Sequence, residues 1–431
     1  MIPLVDYADR HERLGALFDR SASFDEEAAR AARDVLAKVQ ERGDEALGTL
    51  SERFDDVRPE PLAAPEEECA AAYEDADDEL LAVIEEAADN VRRFHRRQLP
   101  QSWFADEGGG VILGQRVAPL ERAGCYAPAG AAAYPSSVLM NVIPAQVAGV
   151  EEVVLCSPPK AEHGGRPHPL VLATAHLLGV GEVYAVGGAQ AVGAMAYGTA
   201  CIPGVDKIVG PGNAYVAAAK KHVFGRVDID SIAGPSEVAV LADAGADAAY
   251  AAADLLAQAE HDPRASVLLA TPSRTLAEAV RREIETQIAD LNRRDTIERA
   301  LDAYGALVVT PAMDEAVALV NELAPEHLEI LTADPWQTMT HVRHAGALFL
   351  GEHAPVPVGD YYAGPNHVLP TGGTARHASP LGVHSFLRRQ SVVSYSEKRL
   401  EETGPRIAAF AEAEGLDAHA AAVRRRLASV D

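Results

Sequence analysis

Apolar positions along this chain recur with two different periods, and the change between them divides it. From about residue 23 to 98 the spacing is helical. Ala29, Ala32, Val35, Leu36 and Val39 recur at helical spacing, and Ser23-Phe24-Asp25-Glu26 reads as a capping box opening that helix. A second helix over 77–98 begins with acids and ends in Arg92, Arg93, Arg96 and Arg97, the order a helix dipole favours. Leu99-Pro100 stops it. Residues 1–22 read as a short amphipathic arm. From about Val111 short apolar runs alternate with helical stretches. Strands are predicted over 122–126, 152–156, 182–186, 206–209 and 227–229, with helices over 136–148, 169–178, 190–200 and 214–224. A second series follows, with strands over 237–241, 266–270, 306–309 and 347–350 and helices over 247–260, 273–291 and 313–323. Such alternation predicts βαβ units and parallel sheets. Two successive series predict an α/β protein with two sheet domains facing a cleft, the helical start packed on one of them. Beyond Ser379 the chain reads as helical again.

Composition narrows the class. At 431 residues the chain is too long for one ordinary core, and with 48% hydrophobic but only 5% aromatic residues it packs through small side chains. No run of 18 apolar residues suggests a membrane helix, and the N-terminal stretch carries acids where a signal peptide carries bases. A cytoplasmic protein is expected. The formal charge of −26, from 38 basic and 64 acidic residues, argues against nucleic acid and anionic membranes as partners. Acid excess with only six lysines fits a protein adapted to high salt. The four cysteines form no C-x-x-C; Cys125 and Cys156 sit in apolar runs and read as buried hydrophobes.

Several polar clusters stand out against this background. Tyr126-Ala127-Pro128-Ala129-Gly130, Gly187-Gly188-Ala189-Gln190 and Gly210-Pro211-Gly212-Asn213 each follow a predicted strand and lead into a helix. Carboxyl ends of strands are where α/β sheets bind ligands, and a helix N-terminus can hold a phosphate. Singly, each is also what a geometric turn looks like. Gln258 and His261 are spaced i, i+3 on one helix face, a spacing that suits two metal ligands or an ordinary polar helix end. Glu326 and His327 are adjacent in what reads as an irregular turn after a helix, and both can move protons. Gly359 to Thr371, GDYYAGPNHVLPT, reads as an ordered loop that brings Asp360 and His367 together for metal binding, proton transfer or plain solvation. Ser236 lies in a Gly-Pro-Ser-Glu turn, and Glu414 and His419 flank a helix start near the end.

Together these stretches resemble the histidinol dehydrogenase family. The resemblance runs from about Ser23 to the end and rests on YAPAG (126–130), VGGAQA (186–191), DKIVGPGNAYV (206–216), AGPSEV (233–238), DLLAQAEHD (254–262), PEHLEI (325–330), GDYYAGPNHVLPT (359–371) and EGLDAH (414–419), in the family's order. It implies NAD-dependent oxidation of L-histidinol through an aldehyde to L-histidine, with one zinc per subunit, in a homodimer whose sites are shared between subunits. By motif it implies Gln258, His261, Asp360 and His419 as zinc ligands. Glu326 would activate water and His327 would take the alcohol proton. Substrate contacts would be Ser236, Gln258, His261, His327, Asp360, His367, Glu414 and His419. NAD contacts would be Tyr126, Gln190 and Asn213.

The fold so implied is two incomplete Rossmann-like domains with terminal arms. The expected division is an arm over 1–22, a first α/β domain over 23–125 with 237–380, a second over 126–236 with the NAD turns, and a helical tail over 381–431. Two rival activities are a related zinc-dependent dehydrogenase acting on another amino- or sulfo-alcohol, and a metallohydrolase on an α/β scaffold.

Overall fold

Two six-stranded sheets carry the fold. The structure, a computed structural model, describes residues 2–18, 26–129 and 133–427. One compact unit holds Met1–Gln98 with Glu121–Phe386, and another holds Leu99–Leu120 with Leu387–Asp431.

In the first unit, one sheet orders its strands Leu4–Asp6, Gly305–Val309, Ser266–Thr271, Glu237–Ala242, His327–Leu331 and Ala347–Leu350, all parallel. Its inner strands are buried throughout, which is why EVAVLA and SVLLAT read as nearly continuous apolar runs. Separate cores cover its two faces, one built around Val240, Leu255 and Leu269, the other around Leu241, Leu268 and Leu328. The second sheet orders Ala63–Ala64, Glu182–Ala185, Glu152–Ser157, Arg122–Tyr126, Lys207–Val209 and Asp228–Ile229, parallel except for its first strand. Cys125 and Cys156 are fully buried in it, as expected.

The expected parallel α/β architecture is present, with differences at particular elements. Strand Arg122–Tyr126 is central to the second sheet, whereas the expected boundary at 125/126 cuts it. Helix Glu26–Arg42 packs its Leu36 and Val39 into the core of that same sheet, beside Val192 and Met195, and not with the 237–380 series. The capping-box residues Ser23, Phe24 and Asp25 lie outside the described residues. His327 opens a fully buried strand, not an irregular turn, because Leu328 and Ile330 alternate into one core while Glu329 faces the other side. Asp360 lies in a short helix, Val356–Tyr361, although the surrounding prolines and glycines predict a loop; Pro357 is tolerated because it falls in the helix's first turn.

The second unit corrects the helical reading of 381–431. Leu387–Tyr395 is a strand antiparallel to Val111–Pro119, which also pairs with Trp103–Gly108. Its partner is remote in sequence, so no local turn signal announces the pairing. Helices Glu397–Ala413 and Asp417–Leu427 follow and pack together.

Candidate active site

Parallel pairing of Glu237–Ala242 with His327–Leu331 sets Val238 opposite His327 and brings the amino ends of the two strands together. Open α/β sheets usually bind ligands at their carboxyl ends. Here the chemistry-bearing residues of this sheet gather at its amino edge. Helix Ala248–Ala259 runs back to that edge and delivers Gln258, with His261 just beyond its end.

Glu326 and His327 are both buried and tightly held. The Glu237 backbone N–H donates to Glu326 Oε2 at 2.9 Å, and the Glu326 N–H donates to Glu237 Oε2 at 3.3 Å. The other oxygen of Glu237 accepts the N–H of Gly372 at 2.9 Å. His327 Nδ1 lies 2.9 Å from the Glu237 carbonyl. A carbonyl accepts only, so Nδ1 carries the proton and Nε2 faces the site. That Nε2 is buried without a hydrogen-bond partner and lies 3.7 Å from Asp360 Oδ1. Burial pushes the Glu326 carboxyl up to about 7. Burial pulls the His327 imidazole down, but Glu326, Asp360 and the Glu237 carbonyl outweigh it and push it up to about 9. These neighbours favour the protonated imidazole, so at neutral pH His327 holds a second proton, which Nε2 must give up before it can act as a base.

Asp360 and His367 approach from the segment after Val356. Burial disfavours the Asp360 carboxylate, yet the facing imidazoles of His327, His367 and His261 hold it below the usual carboxylate range. His367 Nδ1 lies 3.1 Å from the Asp360 carbonyl, which leaves its Nε2 free. Desolvation holds both His261 and His367 below the usual histidine value, so both are neutral imidazoles with a lone pair to offer. Gln258 is 3% exposed, and its Nε2 has no partner. Among the described residues no three His, Cys, Asp or Glu side chains form a metal-binding group. Gln258, His261 and Asp360 supply an amide, an imidazole and a carboxylate within the first unit. Glu414 and His419 are exposed in the second unit, Glu414 capping one helix and His419 in the first turn of the next.

The glycine-rich turns occupy the carboxyl ends of the other sheet. Gly210 has φ +117°, and a Cβ there would lie 2.1 Å from the Tyr126 carbonyl oxygen, so only glycine fits. The Gly210 N–H donates to Asp230 Oδ2 at 2.8 Å, and Lys220 Nζ donates to the Gly210 carbonyl at 2.9 Å. Lys220 and Asp230 are themselves paired and buried, so an ion pair holds this turn from below. Asn213 Oδ1 caps the next helix by accepting the N–H groups of Tyr215 and Val216. Tyr126 Oη accepts the N–H of Gly188 at 3.1 Å, and Tyr126 and Gln190 are both buried. A cavity of about 420 Å³ joins the two edges: Gly212 and Asn213 line it together with Ser236, His261, Glu326 and His367.

Sequence reasoning missed Glu237, which orients both Glu326 and His327. Its signal was a carboxylate opening a wholly apolar strand. The motif reading stopped one residue short, at Ser236.

The family model for histidinol dehydrogenase matches residues 18–427. A histidinol dehydrogenase of Geobacillus kaustophilus is 56% identical over 402 residues, 93% of this chain and 94% of that protein. That of Chlorobaculum tepidum is 50% identical over 427 residues, 99% of each. The crystal structure of histidinol dehydrogenase from Elizabethkingia anophelis superposes with a TM-score of 0.93 at 35% identity, covering 100% of this chain and 99% of that one. On sequence along nearly its whole length and on fold alike, this chain belongs to the histidinol dehydrogenase family, enzymes of histidine biosynthesis.

Proposed function

We propose that this enzyme oxidises L-histidinol with two NAD through L-histidinal to L-histidine, using one zinc per subunit. The observation that carries the reading is the pairing of two proton-transfer groups of different strength at one edge. His327 turns an Nε2 without a hydrogen-bond partner toward the site, and Glu326 beside it has a carboxyl poised near neutrality. His327, once its Nε2 is unprotonated, would take the alcohol proton, and NAD bound beside the carbinol would supply the hydride acceptor. Glu326 would then help water add to the aldehyde, and a second NAD would supply the hydride acceptor for oxidation of the hydrate to the carboxylate. Holding the aldehyde in the site protects it from side reactions.

The residues present fit zinc. Gln258, His261 and Asp360 offer a buried amide, a neutral imidazole and an ionised carboxylate, and His419 would complete the set across a homodimer. When bound, zinc supplies a fixed positive charge that orients the substrate without taking electrons. Ser236 and His367 border the cavity, and Glu414 would reach the substrate with His419. Tyr126, Gln190 and Asn213, on turns at strand carboxyl ends, would receive NAD. The protein would work in the cytoplasm. A dehydrogenase acting on another amino- or sulfo-alcohol is the second reading; retention of Glu414 and His327, which the family uses around the imidazole end, favours histidinol.

Histidinol-dependent NADH formation, with and without chelator, tests the proposal. Two NADH per histidinol, lost on chelation and restored by zinc, is the expected result. No reduction of NAD on adding histidinol would overturn it.

A further inference from the structure

Behind the residues just described lies a carboxyl pair that the reaction does not use. Glu329 follows His327 by two positions on one strand, so both side chains project to the same face. Asp254 precedes Gln258 by four positions on helix Ala248–Ala259 and shares its face. Glu329 Oε1 accepts the N–H of Val356 at 3.0 Å. Val356 opens the short helix that carries Asp360 one turn later. Glu329 therefore touches, or lies one structural repeat from, each of the three elements that deliver His327, Gln258 and Asp360.

Glu329 is 1% exposed, and its Oε2 meets no donor among the described residues. The neighbouring carboxyl is that of Asp254. Two carboxyls side by side repel unless one of them is protonated. Burial and the adjacent Asp254 push Glu329 up to about 9, so the proton is present at neutral pH.

We propose that Glu329 and Asp254 are positioning residues: the hydrogen bond from Val356 to Glu329 and the seat of its carboxyl beside Asp254 tie the His327 strand to the helices of Asp360 and Gln258 and thereby set the affinity of the site for zinc. This rests on the zinc reading above. Ligand-supporting partners of this kind typically change metal affinity by 10–100-fold when removed.

The test is chelator competition for zinc in the full-length protein, with Glu329→Leu, Glu329→Gln and Asp254→Asn beside the parent. Glu329→Leu removes the acceptor for Val356 and the carboxyl beside Asp254, and should weaken zinc by about 10–100-fold. Glu329→Gln keeps an acceptor and supplies a permanent donor, so it should recover most of that affinity. Should Glu329→Leu fail to fold, the comparison passes to Asp254→Leu, which should weaken zinc, and Asp254→Asn, which should largely retain it. A leucine variant that melts earlier yet binds zinc like the parent would overturn the inference, since a merely structural residue behaves that way. So would a glutamine variant as weak as the leucine one. A parent that binds no zinc would instead overturn the zinc reading itself.

Discussion

Glu237 and Glu326 each accept the backbone N–H of the other, at 3.3 and 2.9 Å respectively, across the amino ends of two neighbouring parallel strands. Both residues are buried, so water is no substitute for either bond. The same Glu237 fixes the His327 tautomer through its carbonyl. One strand end thus orients both proton-transfer groups.

Replacing Glu237 with alanine frees the N–H groups of Glu326 and Gly372. Each unsatisfied buried group costs about 1–3 kcal/mol. Denaturant titration should show that loss, and steady-state kinetics should show kcat falling more than KM rises. A variant as stable as the parent would refute the account.

Glu326→Gln keeps an acceptor for the Glu237 N–H but cannot take a proton. Histidinol should still be oxidised once, and the reaction should stall before histidine. NADH counted per histidinol should fall from two toward one, with aldehyde detectable by a carbonyl reagent. Histidine formed at the parent rate would remove the role.

His327→Asn retains a donor for the Glu237 carbonyl and removes the base. Turnover of histidinol should drop by about 10²–10⁴, the usual worth of a positioned base. Metal analysis should find zinc unchanged, because His327 is not among the proposed ligands. Loss of metal along with activity would point to a different division of labour.

Stability should depend on pH through Glu329. Its folded-state value, raised to about 9 from 4.5 by burial and Asp254, means the folded protein holds a proton that the unfolded chain releases. That contribution is fully present below about 4.5 and is lost as pH rises through about 9. Between pH 6.5 and 9 the parent should therefore lose stability relative to Glu329→Gln, measured by denaturant unfolding at each pH. Parallel curves would contradict it.

The charge of −26 sets a salt prediction. Screening shortens from about 10 Å at 0.1 M salt to about 3 Å at 1 M, which relieves self-repulsion of the folded state. Melting temperature should rise between dilute buffer and molar salt, by thermal denaturation in potassium chloride. Equal stability in both would argue against adaptation to high salt.

Much of the site was legible because its residues sit in polar clusters that no packing requirement explains. Asn213 illustrates this: Gly-Pro-Gly-Asn after an apolar strand already signals a turn and a helix cap, and the structure has both. Glu326 and His327 were legible as chemistry but not as structure. Their strand is short and follows a helix closely, and only its pairing with Glu237–Ala242 marks it as one. Glu329 and Asp254 left no local signal, since a carboxyl in a buried strand is explained only by the groups that tertiary structure brings to it.

The sequence by itself determined the alternation of strands and helices, the parallel sheets, the family and the identity of the candidate residues, because periodicity and motif order are local properties. Tertiary structure alone decided that Glu326 and His327 stand at the amino edge of one sheet and face the glycine turns at the carboxyl edge of the other. It also decided that Glu237 braces His327, that Glu329 holds the N–H of Val356, and that Leu387–Tyr395 is a strand. Those outcomes depend on register between segments tens to hundreds of residues apart, where the energy lies in pairing and burial and not in any one segment's own preference.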